Sequence, residues 1–147
     1  MRNTIARGSE AELIVATKAV KNGFVVSFPI SHSSEYDLIV DTGKLYRVQV
    51  KRAYKTNNHG TEVLCVETRR ILVKHSGVKG SVAGKYSDNG YDYLIAVDCD
   101  SNDFWVIPRE IAATYKAQIY LTSKKAMAYK NEWAEMAAGS HPATGHR

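Results

Sequence analysis

Apolar residues recur at helical spacing early in the chain, at Leu13, Ala16 and Val20, with Val15 and Ala19 beside them. Ser9-Glu10-Ala11-Glu12 has the form of a capping box, with Ser9 as the cap and Glu12 at the third helical position. Gly23 is a natural helix stop. The period then shortens. Phe24–Phe28 is a β-rich run closed by Pro29, and Ser31 to Glu35 is polar and turn-like. Two more β-rich runs, Tyr36–Val40 and Leu45–Ala53, are joined around Asp41-Thr42-Gly43, which predicts a hairpin. With those three residues as the loop, Gly43 takes the left-handed position of a type I turn with a G1 bulge. Val40 then faces Lys44, and Asp37 faces Arg47. Side chains two apart share a face, so Asp37, Gln49 and Lys51 point the same way. A two-residue Thr42-Gly43 turn would reverse the face of Asp37.

The second half alternates shorter elements. Val63–Thr68 reads as a strand, and Lys74–Asn89, rich in Gly, Ser and Lys, as a mobile loop. Tyr93–Asp98 and Phe104–Ile107 are short strands around an Asp100-Ser101-Asn102 turn. Pro108 opens a short helix to about Tyr115, and a second helix is expected over Lys124–Ala137, with Met127, Trp133 and Met136 among its apolar residues. Gly139–Arg147 lacks a core-forming pattern and reads as a disordered tail. There is no internal repeat and no clear linker, so residues 1–138 read as a single α+β domain.

Composition narrows the class. Of 147 residues, 44% are apolar and 24% charged, the balance of a soluble globular protein. No run of eighteen apolar residues suits a membrane, and Met1-Arg2-Asn3-Thr4-Ile5 lacks the apolar core of a signal peptide. Cys65 and Cys99 stand alone, without zinc spacing or a disulfide framework. An intracellular, cytoplasmic protein is expected, associated with the nucleoid if it acts on DNA. The net charge of +5 is unevenly placed. Between Lys44 and Tyr86 lie ten Lys or Arg against Glu62 and Glu67, a balance of +8, whereas the remainder has ten bases against thirteen acids, a balance of −3. Such a block suits phosphate, although a solvated face has the same composition.

Asp37-Leu38-Ile39-Val40-Asp41 followed by Val48-Gln49-Val50-Lys51 resembles the PD-(D/E)XK nucleases. The helix opening Gly8-Ser9-Glu10-Ala11-Glu12, the Gly23-Phe24 closure, and Tyr91-Asp92-Tyr93-Leu94-Ile95 leading to Trp105-Val106-Ile107-Pro108 add to the match. The resemblance covers roughly residues 8 to 112. Its nearest branches are the homing endonucleases encoded in group I introns and, less closely, archaeal-type Holliday-junction resolvases. It implies an α/β/α-like restriction-endonuclease fold with a central mixed sheet flanked by helices. It also implies a Mg2+-dependent endodeoxyribonuclease, with Mn2+ as a substitute cation. Gln49 departs from the commoner acidic residue, but the intron-encoded branch also uses Gln there.

The chemistry explains why these residue types would meet. Phosphodiester hydrolysis needs a hard cation beside a non-bridging oxygen and a nucleophilic water. Asp37 offers a charged oxygen and Gln49 a neutral one, and the resemblance adds the Val50 backbone carbonyl. Lys51 can orient or deprotonate the water and offset charge on the pentacovalent phosphate. The family also places a helix Glu beside the metal, which falls on Glu12, with Glu10 as the fallback. Each residue has a plainer reading: Asp37 as a turn residue, Gln49 as a half-exposed polar residue, Lys51 as a solvated lysine and Glu12 as half of a capping box. Arg47, Lys55, Arg69, Arg70, Lys74, Lys79 and Lys85 are the candidate phosphate contacts. Arg52 falls on the face opposite Lys51. Asn57-Asn58-His59-Gly60, His32 and His75 read as loop residues, and Tyr91, Tyr93, Phe104 and Trp105 as core. The leading expectation is site-specific double-strand cleavage of homing or restriction type. Because one centre cuts one strand, it implies a homodimer or tetramer on double-stranded DNA. A junction resolvase and a non-catalytic DNA-binding module on the same fold are the alternatives.

Overall fold

The first helix begins earlier than its capping box suggests. In the computed structural model, which describes residues 4–31, 35–68, 70–73, 81–84 and 90–138, helix α1 spans Thr4–Lys21. Ser9 therefore lies inside the helix and caps nothing. Ile5, Ala6 and Arg7 do not oppose a helix, and Gly8 costs only about 1 kcal/mol relative to Ala. The buried stripe is also rotated from the expected one. Ala11, Val15 and Ala19 are buried at i, i+4, i+8, whereas Leu13 is 61% and Val20 59% exposed. Gly23 does end the helix. It takes φ +87°, its N–H donates to the Val20 carbonyl, and the Phe24 N–H donates to the Ala19 carbonyl, a Schellman closure.

Strands β1 (Val25–Ser27), β2 (Leu38–Asp41) and β3 (Leu45–Arg52) form an antiparallel meander. Strand β8 (Tyr93–Val97) adds parallel to β3, and β9 (Phe104–Pro108) antiparallel to β8. The result is a mixed sheet ordered β1-β2-β3-β8-β9. The hairpin loop is Thr42-Gly43-Lys44 rather than Asp41-Thr42-Gly43, because Asp41 stays on the ladder opposite Leu45 while its carboxylate accepts the Gly43 N–H at 2.8 Å. Ile39, not Asp37, faces Arg47, and Val40 faces Tyr46 rather than Lys44. The register is displaced by two residues, an even number, so every side chain keeps its expected face.

A second, three-stranded sheet is ordered β10-β5-β4, from β10 (Gln118–Tyr120), β5 (Thr61–Glu67) and β4 (Tyr54–Asn58). Asn57 and Asn58 belong to β4, which corrects their reading as loop. Only His59 (φ 50°) and Gly60 (φ 85°) make the turn, both left-handed as a type I′ turn requires. Within the expected mobile loop, β7 (Ser81–Gly84) pairs with β6 (Arg70–Val73). Residues 74–80, 85–89 and the expected tail 139–147 lie outside the described residues.

Helix α2 (Arg109–Ala112) follows Pro108 and is shorter than expected. The expected helix over Lys124–Ala137 is two short ones, α3 (Lys124–Met127) and α4 (Ala134–Ala138). The break has a cause at the edge of β9. Lys130 bridges to Trp105, the Asn131 N–H donates to the Phe104 carbonyl at 2.6 Å, and the Asn131 side-chain oxygen accepts the Phe104 N–H at 2.9 Å. These bonds satisfy an otherwise open strand edge, and they require φ 53° at Asn131, which no helix tolerates.

The five-stranded sheet is covered on both faces. One cluster joins α1 (Ala11, Val15, Ala19) and the segment around α4 (Trp133, Met136) to Leu38, Val40, Val48, Val50, Ile95 and Val97. The other packs α2, α3, Val66 of β5 and Ile119 of β10 against Leu94, Ala96, Trp105 and Ile107. Strand alternation then fixes the site. Val48 and Val50 look toward α1, and Gln49 and Lys51, paired with Leu94 and Ala96, look the other way.

Candidate active site

The site forms where β2 ends before β3 does. The last ladder contacts between them are Leu38 opposite Val48 and the Asp37 N–H donating to the Val48 carbonyl at 2.8 Å. Beyond that point no strand among the described residues pairs with the Val50 backbone on this side, and the Asp37 side chain substitutes for one. Its Oδ2 accepts the Val50 N–H at 2.8 Å and the Gln49 Nε2–H at 2.9 Å. In a strand a residue's N–H and C=O point to the same side, so the Val50 carbonyl also looks into this notch. Gln49 Nε2 lies 3.5 Å from it. Asp37, Gln49 and Val50 are therefore joined, and Gln49 is the one buried polar residue of the described core, 8% exposed.

Burial acts on both charged members. It raises the Asp37 pKa, against the lowering effects of the Val50 N–H and the Lys51 charge. It lowers the Lys51 pKa, against the raising effects of the Asp37 and Glu67 charges. Each charge is thus pushed toward neutrality by desolvation and held by its partners. Glu67, at the end of β5, has no role that the sequence alone suggests. Its one signal is that it is an acid within a basic block.

Helical geometry separates the two N-terminal glutamates. Glu10 Oε2 lies 4.0 Å from Arg52 Nη1, which places this turn of α1 level with the end of β3. Glu10 also lines a cleft with Leu13, Ile14, Thr17 and Asn102, on the β8–β9 side of the helix. Glu12 is about 200° further round the axis, on the flank of the helix away from that cleft. It is half-buried. Glu12 belongs to the α1 side of the sheet, whereas Gln49 and Lys51 occupy the opposite face.

Other sequence candidates have different surroundings. The Arg47 guanidinium is committed to Asp92: Nη2 lies 3.2 Å from Oδ1, Nε lies 3.4 Å from Oδ2, and the Arg47 backbone N–H donates to the same Oδ2 at 2.8 Å. It ties the start of β8 to β3. Lys55 is exposed and 3.8 Å from Glu62. Arg70 opens β6, while Arg69, Lys74, Lys79, Lys85, His32 and His75 lie outside the described residues. Tyr91, Phe104 and Trp105 are buried and Tyr93 is half-buried, as core residues.

The donor set suits a hard cation. The Asp37 carboxylate and the Val50 carbonyl present oxygen at the notch, and the Gln49 amide, which turns its Nε2 toward both, presents its own oxygen only when turned over. Among the described residues no three His, Cys, Asp or Glu gather as a metal site, so a zinc-like nitrogen and sulfur cage has no counterpart. No helix among them is long and apolar enough to cross a membrane.

Comparisons with known proteins bear on the fold and the family. "Protein 5.3" of Escherichia phage T7 is 32% identical over 91 residues, which span 61% of this chain and 69% of the phage protein. Among solved structures, the bacterial homing endonuclease I-Ssp6803I superposes with a TM-score of 0.81 at 25% identity, covering 93% of this chain and 95% of that one. The family model described as PD-(D/E)XK endonuclease matches residues 2–139, nearly the whole length, and the chain belongs to that family.

Proposed function

We propose that this chain is a Mg2+-dependent DNA endonuclease, with Mn2+ as a substitute, that cuts both strands of a duplex at a specific site. The observation that carries the reading is the joining of Asp37, Gln49 and the Val50 backbone at the β2–β3 notch. The likeness to I-Ssp6803I, described as a homing endonuclease, supports the homing or restriction type of cleavage. When bound, Mg2+ supplies positive charge against the developing charge of the phosphate. Asp37, the Val50 carbonyl and, with its amide turned over, the Gln49 oxygen would hold it, with Glu12 contributing from the α1 flank. Lys51 orients the attacking water, and its ammonium meets the charge of the pentacovalent phosphate. Its burial makes loss of the ammonium proton easier, the direction a proton-accepting role needs. The basic stretch from Lys44 to Tyr86 contacts backbone phosphates. One centre cuts one strand, so the working form on duplex DNA is a homodimer or tetramer, acting inside the cell.

The test is cleavage of a linear duplex library and of a four-way junction, with Mg2+ or Mn2+. Duplex cutting is expected, and Asp37→Asn should keep DNA affinity while losing about a hundredfold in cleavage rate. Preference for the four-way junction would make the protein a resolvase. Salt-sensitive binding without cleavage by the unaltered protein would make it a non-catalytic DNA-binding module.

A further inference from the structure

The β4–β5 hairpin leaves its sheet as a two-stranded ribbon. Strand β10 pairs with β5 only at Cys65, Val66 and Glu67, and one further bond joins the Leu121 N–H to the Leu64 carbonyl. Strand β4 is the outer strand of that sheet. From Thr56 to Val63, therefore, the two strands pair only with each other among the described residues: Thr56 opposite Val63, Asn57 opposite Glu62 and Asn58 opposite Thr61. The two faces of the ribbon differ. On one, Lys55 Nζ lies 3.8 Å from Glu62 Oε1, and Asn57 Oδ1 accepts the Gly60 N–H at 2.7 Å, so its polar groups serve the hairpin itself. On the other, Thr56, Asn58 and Thr61 share a face with Val63. Thr56 and Asn58 are half-buried and Thr61 is exposed. Among the described residues none of these three side chains has a hydrogen-bond partner.

We propose that this ribbon enters the major groove beside the cut site, where Asn58 and Thr61 read an A·T base pair. The inference rests on the endonuclease reading and names the part of the chain that supplies its specificity. A two-stranded β-ribbon fits the major groove of B-form DNA. The tight His59-Gly60 turn adds little bulk at its tip. The ribbon is also attached beside the chemistry, since β4 begins three residues after Lys51 and Asn58 stands seven after it. Seven residues span at most about 25 Å, so the base pair lies within about seven steps of the scissile phosphate. Charge divides the work. Lys55 and Glu62 cancel, so the ribbon carries no net charge inside a stretch whose balance is +8. Cations hold phosphates, whereas sequence is read by groups that donate and accept at base edges. The Asn58 amide offers a donor and an acceptor matched to adenine N7 and N6, and the Thr61 methyl and the Val63 side chain suit the thymine methyl.

The test uses the full chain and a double variant, Asn58→Ala with Thr61→Ala, which changes side chains only at the end of the ribbon. A randomised linear duplex library is cut with Mg2+ and the products are sequenced. The unaltered protein should show an A·T preference within about seven base pairs of the cut, and the double variant should still cut with that preference reduced about tenfold or more. In a second measurement, 7-deazaadenine, which lacks the N7 acceptor, replaces that adenine. It should weaken binding by the unaltered protein about tenfold and binding by Asn58→Ala less than about twofold. Equal losses in the two proteins overturn the inference. So does an unchanged preference in a double variant of wild-type Tm, or a uniform loss of cutting on every sequence. Lost self-association with the preference intact would assign this face to a second copy of the chain, and overturns it as well. If the unaltered protein cuts no DNA, the endonuclease reading fails by itself, and selection of bound duplexes from the same library still decides whether the ribbon reads that base pair.

Discussion

Gln49→Glu is the most informative single change, because it restores the family's commoner acid at a position whose neighbours are now known. Gln49 Nε2 lies 2.9 Å from Asp37 Oδ2, so the variant sets two carboxylate oxygens at that separation. Two unit charges so close repel by about 6 kcal/mol at an effective dielectric of about 20. The pair escapes by sharing a proton, which at pH 7 costs about 4 kcal/mol for a carboxyl that ordinarily titrates near pH 3.9. A charge-assisted hydrogen bond between the two returns about 2 kcal/mol, leaving a net loss of about 2 kcal/mol. For a domain of this size that lowers Tm by about 4–8 °C. The shared proton raises a folded-state pKa above its unfolded value. The variant therefore matches the wild type at low pH and loses stability as pH rises through that folded pKa. Mg2+ reverses the effect, since two carboxylates bind it more tightly than one and ligand stabilisation grows with affinity. Thermal denaturation at pH 4.5 and 7, with and without 10 mM Mg2+ (on the order of the concentrations over which weak carboxylate sites fill), reads all of this. A variant with wild-type Tm at both pH values and no larger Mg2+ response would refute the Asp37–Gln49 contact as the site's organising bond.

Four further outcomes are expected. Asp37→Asn should raise Tm at pH 7 in the absence of Mg2+, because burial raises this carboxyl's pKa; the gain should vanish as pH falls below the folded pKa, and calorimetry across pH checks it. Asp92→Ala removes the acceptor of both the Arg47 fork and the Arg47 backbone N–H, so it should cost about 2 kcal/mol in urea denaturation. Arg47→Gln should likewise destabilise while leaving the salt dependence of DNA binding unchanged. Neutralising Arg69, Arg70 and Lys74 together should reduce the slope of log affinity against log salt by about one unit per lost phosphate contact, and an unchanged slope would make the basic block a solvated face.

What the sequence made legible depends on the range of the forces involved. Asp37, Gln49 and Lys51 could be placed on one face because strand alternation is local, and an even displacement of the hairpin register leaves that parity intact. The loop itself was misplaced by one residue, since the Asp41 carboxylate on the Gly43 N–H decides which residue leaves the ladder. Helix α1 shows the same limit. Its existence was clear, but its buried stripe runs through alanines and Val15 rather than Leu13 and Val20, because close approach to the sheet favours small side chains. Where long-range contacts decide, local pattern gives the wrong answer. The stretch Lys124–Ala137 has helical periodicity throughout, yet the open edge of β9 takes Lys130 and Asn131 out of the helix. Glu67 is the polar counterpart of that case. It stands sixteen residues beyond Lys51 in the chain, and only the bend at Ala53 and the β4–β5 hairpin bring it back to the Tyr54 hydroxyl, 3.2 Å from its Oε1. Asp37, Gln49 and Val50 lie on one hairpin and are readable from spacing, whereas the polar corner of Tyr54, Glu67 and Gln118 exists only once a second sheet folds beside the first.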